Sequence, residues 1–472
     1  MSPGRVPMDP SSPFTRRPPS PMGSHILFQH LSVLLARAYY RVTIEGEEIP
    51  PRGPVLLVAN HPNSLVDPAL VAMAAGRPVR FLARAPLFQH PAFGWFIRGM
   101  GAIPVHRHSD APELVVRNED MFRAVWRALA RDGSAVGIFP EGMSHSGPSL
   151  APLKTGAARI ALGAGEALGH TLPIIPVGLT FRAREQFRSE ALALVGRTVE
   201  WEDLMTDSHD SAHAVRELTQ RIRDRLHEVT LNLERWEDAP VVEAMEAIHS
   251  TELGGGESPG HRLRRSRDLG RALQTARAVG SEEANALARD IHRHHRVLHH
   301  LHLRPHDLQR APRVSVALRW IARNLFFFGL LTPPALLGGW VFWPARRFVS
   351  LVEERLELES EVQASYHVMG GAAAIFGWSL LLVSSAYRVG GWAWTAGVLG
   401  ALPVLGMAML VTHGRWTGAV QDLRRFILLR ERSDIRSRLL ARQRDLARRI
   451  EKLRTGELSA PSSASGRPRH GE

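Results

Sequence analysis

Short apolar segments alternate with helical segments between residues 50 and 235, and this alternation constrains the fold more than any other feature of the chain. The apolar segments are bounded by Pro or Gly, as buried strands commonly are, and they cover residues 55–59, 79–82, 135–139 and 174–181. Apolar side chains recur at helical spacing in residues 113–131 and 153–168. The pattern predicts an α/β domain over residues 25–235, with a mostly parallel or mixed central sheet that is flanked by helices.

Three longer apolar segments follow residue 320, at residues 325–343, 368–386 and 392–411. Each is close to the length of about 20 residues with which a helix crosses a bilayer, so residues 320–412 are predicted to form a helical membrane region. Pro333 and Pro334 interrupt the first segment at its middle, and we expect a broken or re-entrant pair of half-helices there. The other two segments are predicted to form a hairpin of two spans that turns at residues 387–391.

The remaining segments are mostly polar or charged. Residues 1–24 are rich in Pro, Arg and Ser and are predicted to be a disordered tail. Residues 236–319 predict a charged helical linker region, while residues 413–472 predict a basic amphipathic helix and a second disordered tail. Apolar residues recur at helical spacing in residues 26–39, which fits a helix docked on the domain or a helix in a membrane interface.

The chain is strongly basic, with 59 Lys and Arg against 46 Asp and Glu. Such an excess indicates an anionic partner, which can be nucleic acid, acidic lipid or a phosphorylated substrate. Residues 415–454 follow the last apolar segment and carry 13 basic against 5 acidic side chains, which favours attachment to anionic membrane lipid over nucleic acid. Positive flanks around the apolar segments predict a multi-pass protein of the cell inner membrane, with the α/β domain and both ends on the cytoplasmic face.

The chain has no Cys, which excludes disulfides, thiolate metal sites and a Cys nucleophile. A His-rich stretch places His295, His299 and His302 at i, i+4 and i+7 of a helix, a spacing that suits a metal ion. Since Arg side chains flank these residues and no carboxylate is interleaved with them, a solvated basic helix face is favoured and no metal site is predicted.

His61 is the first candidate for chemistry, because the apolar segment 55–59 leads directly into Asn-His-Pro and Asp67 follows six residues later. A strand that ends in such a turn presents the imidazole in a loop, where a His can act as a base near neutral pH. An Asp that accepts a hydrogen bond from one ring nitrogen fixes the tautomer and leaves the other nitrogen able to take a proton. A His and an Asp at this spacing are also common as purely structural partners.

Three further motifs follow in order along the chain. Residues 101–107 end a second strand with an Arg, residues 139–143 read Phe-Pro-Glu-Gly-Met, and residues 174–177 form an apolar segment that carries a Pro. Together with the His61 motif, they resemble the four sequence blocks of the glycerophospholipid acyltransferase family. That family includes glycerol-3-phosphate and 1-acylglycerol-3-phosphate acyltransferases, and the resemblance covers residues 50–185.

The resemblance implies a role for each motif residue. His61 is expected to be the general base that deprotonates the acceptor hydroxyl, with Asp67 as its orienting partner. Arg107 is expected to bind the acceptor phosphate and Glu141 an acceptor hydroxyl, with Gly142 allowing the backbone to come close. The acyl group is expected to pass directly from acyl-CoA or acyl carrier protein as co-substrate, without a cofactor and without a covalent acyl-enzyme.

Two positions depart from the family pattern. Pro104 stands where the second block usually has an aromatic residue, which is expected to affect mainly the packing behind the loop. Met143 stands where relatives often have Thr, and Ser144 or Ser146 is expected to replace the missing hydroxyl. His145 lies between these two serines, and we expect it to be a bystander.

Composition and position add two basic residues to the candidate site. Only Lys154 and Lys452 are Lys among the 59 basic residues, and Lys154 lies shortly after Phe-Pro-Glu-Gly at the predicted start of a helix. A compact ammonium there is suited to bind the acceptor phosphate together with helix amides, with a chance surface Lys as the alternative. Arg84 ends the second apolar segment and is a further candidate for substrate contact, with a surface ion pair as the alternative.

The predicted function is a membrane-bound enzyme that transfers a fatty acyl group from an acyl thioester to glycerol 3-phosphate or lysophosphatidate in phospholipid biosynthesis. The apolar hairpin resembles, more weakly, that of a fungal-type branch, so dihydroxyacetone phosphate or another lysolipid is the alternative acceptor. A lipid or thioester hydrolase would use the same His and Asp with water. The phosphate-suited Arg107 and the lack of a Gly-x-Ser-x-Gly elbow argue against a hydrolase.

Overall fold

The computed structural model describes residues 22–89, 94–106, 118–145, 147, 149–184, 186–206, 211–254, 258–309, 314–356, 360–431 and 433–457. The chain divides into an N-terminal unit, Met1–Thr230 together with Glu359–Val368, and a C-terminal unit, Leu231–Leu358 together with Met369–Glu472.

The N-terminal unit is built on a sheet of seven strands in the order β1-β7-β6-β2-β5-β3-β4. The strands are β1 (Arg41–Gly46), β2 (Val55–Ala59), β3 (Val79–Arg84), β4 (Ile103–Val105), β5 (Ala135–Ile138), β6 (Ile174–Phe181) and β7 (Glu190–Val195). Neighbouring strands pair in parallel except β6 and β7, which pair antiparallel. The predicted α/β class with a mixed sheet is therefore confirmed. Because β2 to β6 run in one direction, the loops that follow them meet at one edge of the sheet.

Helices cover the sheet. They are α1 (Met22–Tyr39), α2 (Asp67–Ala75), α3 (Gly94–Gly99), α4 (Asn118–Ala130), α5 (Gly156–Leu168), α6 (Asp203–Thr206) and α7 (Ser211–Val229). The alternate residues Val55, Leu57 and Ala59 of β2 share one core with α1 and α2. Leu56 and Val58 are equally buried and point to the opposite face, since side chains alternate along a strand. Because β2 is apolar on both faces, it lies at the centre of the unit.

Helix α1 combines both predicted behaviours. Its inner face is buried and includes Gln29, which donates to the backbone oxygen of Val79 at 2.7 Å and accepts from its N–H at 3.0 Å. Its outer face leaves large apolar side chains exposed, namely Ile26, Leu27, Leu31 and Leu34. The helix is thus docked on the domain and still presents an apolar face to its surroundings.

The C-terminal unit contains a bundle of α8 (Ala239–Leu253), α9 (Pro259–Ala278), α10 (Glu282–His300) and α14 (Ser433–Arg454). One core holds side chains from all four helices, among them Met245, Leu273, Ile291, Leu446 and Ile450. The apolar stripe of α14 is therefore buried against protein, so these residues form the predicted helix but pack in the bundle instead of on a membrane surface. An amphipathic stripe has the same sequence pattern whether its partner is lipid or other helices, so only the packing decides.

The His-rich stretch lies on α10. His294 is buried in the bundle, and burial lowers the pKa of His294 to about 4, so it is neutral at physiological pH. The rings of His295 and His299 lie 6.3 Å apart on the outside of the helix. Among the residues that the structure describes, no group of three or more His, Asp or Glu is placed to hold a metal ion.

The apolar region consists of α11 (Val314–Val341), α12 (Trp343–Leu356) and α13 (Ser360–Glu431). In the described residues, two stretches are long and apolar enough to cross a membrane, Asn324–Val341 and Gly370–Thr412. Helix α13 is interrupted at Gly390 and Gly391, where the turn was expected. The indole of Trp378, before this break, donates to Val341 at 2.8 Å, and Leu405, after it, packs on Gly338. The two arms of α13 therefore reach the same end of α11, so the chain reverses at the break.

Helix α11 continues through Pro333 and Pro334, so the predicted interruption at these residues is wrong. Proline removes one helix hydrogen bond and crowds the preceding turn, but neighbouring helices and small local adjustments compensate for this in apolar surroundings.

Candidate active site

The loops that follow β2, β5 and β6 form a polar site at the edge where these parallel strands end. The first loop carries His61, the second carries Glu141 and the third carries Arg184. Sheet pairing therefore brings together residues that are far apart in the sequence.

His61 and Asp67 form the centre of the site. The ring Nδ1 of His61 lies 2.8 Å from Oδ2 of Asp67, which also accepts the backbone N–H of Asn63 at 2.7 Å. Asp67 is completely buried as the first residue of α2, whereas the His61 side chain is 19% exposed. An Asp in this position accepts a hydrogen bond from Nδ1–H, which keeps the hydrogen on Nδ1 and leaves Nε2 with the lone pair of a base.

The charge of Asp67 depends on this partner. Burial raises the pKa of Asp67 above its usual range, while the hydrogen bond and charge of His61 act in the opposite direction. Within the described part of the chain, Oδ1 of Asp67 has no hydrogen-bond partner. A buried carboxylate with one unused oxygen gains most when the facing ring becomes an imidazolium, which is the form that a general base adopts during catalysis.

Two phenylalanine rings hold the imidazole plane. Phe139 stacks on His61 with a centroid distance of 4.0 Å and an angle of 10°, and Phe81 stacks on Phe139 at 5.8 Å. A side chain at Gly137 would come within 2.3 Å of the Phe81 ring, so this strand position requires Gly. This stack was not predicted from the sequence, because one Phe lies on β3 and the other directly follows β5, and these neighbouring strands are far apart in the chain.

Further residues that sequence analysis missed hold the His61 loop. Asn60 accepts the N–H of Leu179 at 2.7 Å and donates to its oxygen at 3.0 Å, which ties the loop to β6. Arg184 donates to the backbone oxygen of Pro62 at 2.7 Å. Asn60 and Arg184 could have been found from the sequence, since each follows closely on a strand that ends at this edge.

Tyr40 supports the same loop from the end of α1. Its hydroxyl accepts from Asn63 at 3.0 Å and donates to the backbone oxygen of Arg184. Burial raises the pKa of Tyr40, so the hydroxyl stays protonated and remains a donor.

Glu141 contacts the backbone of the His61 loop. Its side chain is buried, and Oε1 accepts the backbone N–H of His61 at 3.0 Å. Oε2 accepts the N–H of Ala151 at 2.7 Å and pairs with Nε2 of His145. Both oxygens are therefore engaged within the protein and hold the His61 loop, while the contact with an acceptor hydroxyl stays a prediction.

Lys154 lies beside this motif. Gly142 has a φ of +75°, and a side chain there would come within 3.1 Å of the Lys154 stem, so Gly142 makes room for Lys154. The Lys154 N–H donates to Pro140 at 2.8 Å, while its side chain is exposed two residues before α5 begins at Gly156. An ammonium is thus held at the site with access to solvent.

The other predicted residues lie either at another point of the sheet edge or outside the residues that the structure describes. Arg84 is the exposed last residue of β3, and β5 separates β3 from β2, so it lies about 10 Å along the edge from the His61 strand. Arg107 and Ser146 lie outside the described residues. Ser144, one of the two serines expected to replace the family Thr, accepts the N–H of Ser64 at 3.1 Å through its hydroxyl.

Comparisons with known proteins agree with this site. Residues 41–180 match the family model described as Acyltransferase. Glycerol-3-phosphate O-acyltransferase 2 of Saccharomyces cerevisiae is 33% identical over 139 residues, which are 28% of this chain and 18% of that protein. A chloroplastic 1-acyl-sn-glycerol-3-phosphate acyltransferase of Arabidopsis thaliana is 28% identical over 142 residues, 30% of this chain and 37% of that protein. A lyso-ornithine lipid O-acyltransferase of Pseudomonas aeruginosa is 30% identical over 163 residues, 34% of this chain and 56% of that protein.

The chain thus spans less than two thirds of each of these relatives. The matched segment contains β1 to β5 and all of the residues that form the His61, Asp67 and Glu141 arrangement. Residues 41–180, which carry this histidine–aspartate pair, therefore form a domain that matches the Acyltransferase family model, as the sequence motifs predicted.

Proposed function

We propose that this protein is a membrane-bound O-acyltransferase that moves a fatty acyl group from an acyl thioester to a hydroxyl of glycerol 3-phosphate or lysophosphatidate. The observation that carries the proposal is the 2.8 Å contact between His61 and buried Asp67 at the sheet edge, inside the segment that matches the family. The names of the relatives support an acceptor of the glycerophosphate class.

The reaction follows from this geometry. His61 Nε2 takes the proton of the acceptor hydroxyl while the oxygen of that hydroxyl attacks the thioester carbonyl. The tetrahedral intermediate expels the thiolate, which takes the proton back from the imidazolium. General-base help of this kind contributes about 10² to 10⁴ in rate, so the positioning of both substrates supplies the remainder. Acyl-CoA or acyl carrier protein serves as co-substrate, and the chemistry needs no cofactor.

The test is an acyl-transfer assay on purified membranes that carry the protein. A labelled acyl thioester is offered with glycerol 3-phosphate, dihydroxyacetone phosphate, lysophosphatidate or lyso-ornithine lipid in parallel, for wild type and His61→Ala. We expect ester formation with glycerol 3-phosphate or lysophosphatidate by wild type alone. Esterification of only dihydroxyacetone phosphate or lyso-ornithine lipid would move the acceptor to the alternative class. Free fatty acid without any acceptor would identify a hydrolase.

Lys154 is proposed to bind the acceptor phosphate, since its ammonium is held beside Gly142 and remains exposed. We expect Lys154→Arg to raise the acceptor KM several-fold, because a planar guanidinium does not reproduce a compact point charge. The matched control is Lys452→Arg, which changes an exposed Lys on α14. An unchanged acceptor KM in steady-state kinetics would exclude the phosphate role.

The bundle supports a definite membrane topology. Helices α8 to α10 precede the apolar region and α14 follows it, yet their side chains share one core, so both flanks lie on one side of a membrane. The number of crossings is then even. The two arms of α13 supply two crossings. Since a third crossing would make the number odd, α11 does not cross the membrane. We propose that both flanks face the cytoplasm of a cell inner membrane, as the positive residues around the apolar helices favour.

A pair of reporter fusions tests this topology. A reporter that is active only in the cytoplasm should be active when fused after Glu457 and inactive when inserted between Gly390 and Gly391. The opposite pattern would invert the orientation. Activity of both fusions would show that α13 does not cross the membrane.

A further inference from the structure

We infer that His145 is a positioning residue for the proposed acyl transfer, because it holds the buried carboxylate that fixes the backbone of His61. The inference rests on the proposed function and goes beyond the residues that the family motifs assign. It concerns two loops, residues 60–67, here called the His61 loop, and residues 139–145, here called the Glu141 loop.

The two loops are joined through the backbone of His61 itself. The N–H of His61 donates to Oε1 of Glu141 at 3.0 Å, and the oxygen of His61 accepts the N–H of His145 at 3.1 Å. The N–H of Ser64 donates to the hydroxyl of Ser144 at 3.1 Å. Both polar backbone groups of the catalytic residue are thus bonded to the Glu141 loop, so that loop sets the position of its Cα.

Glu141 needs donors to remain in place. Its side chain is buried, and a buried carboxylate costs free energy unless hydrogen bonds replace its water. Two of its donors, His61 and Ala151, are backbone N–H groups, and the third is the ring of His145. His145 is therefore the side-chain donor that keeps the carboxylate turned toward the His61 loop.

The tautomer of His145 is fixed as well. Its Nδ1 accepts the backbone N–H of Gly147 at 3.0 Å, so the hydrogen of the neutral ring is on Nε2, which faces Glu141. Gly147 and Glu141 thus bind opposite sides of one imidazole. The ring therefore links Glu141 to Gly147. The sequence alone had indicated that His145 is a bystander, and these contacts show that it is not.

This arrangement makes a kinetic prediction that separates it from substrate binding. Loss of a group that binds the acceptor raises the acceptor KM. Loss of a positioning contact lowers kcat, because a displacement of about 1 Å in a catalytic group can cost up to about 100-fold. We expect His145→Ala to lower kcat about 10- to 100-fold with the acceptor KM within twofold of wild type. His145→Gln, whose amide can still donate to Glu141, should recover most of this loss.

The second measurement does not depend on activity. Amide hydrogen exchange of residues 60–66 should be faster in His145→Ala than in wild type, and close to wild type in His145→Gln. The matched control is His170→Ala, an exposed His of the same unit that bonds its neighbour Thr171, and it should change neither kcat nor exchange.

Each outcome is decisive. Unchanged exchange in His145→Ala would overturn the positioning role, whatever the activity, and a raised acceptor KM with unchanged kcat would assign His145 to substrate binding. If His145→Ala does not fold, its place is taken by His145→Asn, whose shorter amide cannot reach Glu141. If wild type transfers no acyl group to any acceptor, the proposed function fails, whereas faster exchange in the variant would still support the contact between the loops.

Discussion

Asp67→Asn is expected to lower kcat for acyl transfer by about 10⁴-fold, the size of loss that the same change causes in a Ser-His-Asp triad. Asn has almost the shape of Asp, and its oxygen can still accept from Asn63 and His61. The negative charge that stabilises the imidazolium is lost, and the amide can instead donate to Nδ1, which would place the ring hydrogen on Nε2. Nε2, which faces the acceptor, then has no free lone pair and cannot take the proton of the hydroxyl.

The same variant is expected to keep or gain thermal stability. Burial raises the pKa of Asp67, so the folded state favours the neutral carboxyl, and the associated stability is present at low pH and lost as pH rises through the raised pKa. Asn is neutral at every pH and avoids this loss. Unfolding curves at pH 7 should therefore give a Tm equal to or above that of wild type.

Asp120→Asn is the control, because Asp120 is an exposed residue of α4 that pairs with Arg123, and its change should affect neither kcat nor Tm appreciably. A fall of both kcat and Tm in Asp67→Asn would show that Asp67 acts in folding and would contradict its place in the chemistry.

His61→Ala is expected to lower kcat by about 10² to 10⁴. The acceptor KM should change little, because the base acts on the hydroxyl in the transition state. The variant should also lose stability at neutral pH, since among the described residues buried Asp67 would keep only the N–H of Asn63 as a direct donor. This loss should diminish as pH falls, because protonation of Asp67 removes the uncompensated charge.

The double variant His61→Ala with Asp67→Asn separates the two effects. It should recover the stability that His61→Ala loses, while acyl transfer stays at the level of the single His61 variant. Kinetics and unfolding curves measured on all three variants form a complete cycle. Activity in His61→Ala close to that of wild type would exclude His61 as the base.

Parts of this site could be predicted because they are local in the chain. His61 and Asp67 are six residues apart, and a buried strand before them fixes where the loop begins, so the pattern alone brings the ring and the carboxylate together. Lys154 was identified from composition, since a Lys is conspicuous in a chain that otherwise uses Arg. The order of apolar segments likewise predicted a mixed α/β sheet.

Other features depend on contacts between distant segments. Glu141 and His145 act on the backbone of His61 across about 80 residues of sequence, and this became visible only when β5 paired with β2. The stack of Phe81 on Phe139 likewise needs Gly137 on the neighbouring strand. The sequence could not show that Glu141 is buried, because a buried carboxylate and an exposed one look identical in a sequence.

The sequence by itself determined the elements of this protein and the pairing of His61 with Asp67, because periodicity and spacing act within one strand, helix or loop. Only the tertiary structure decided which side chains and loops contact each other. It turned α14 inward to the bundle and kept α11 continuous through two prolines. It also joined the His61 and Glu141 loops through hydrogen bonds. The packing partners of a residue can come from any part of the chain. The free energy of burial therefore depends on the surface that a residue contacts in space and not on its neighbours in the sequence.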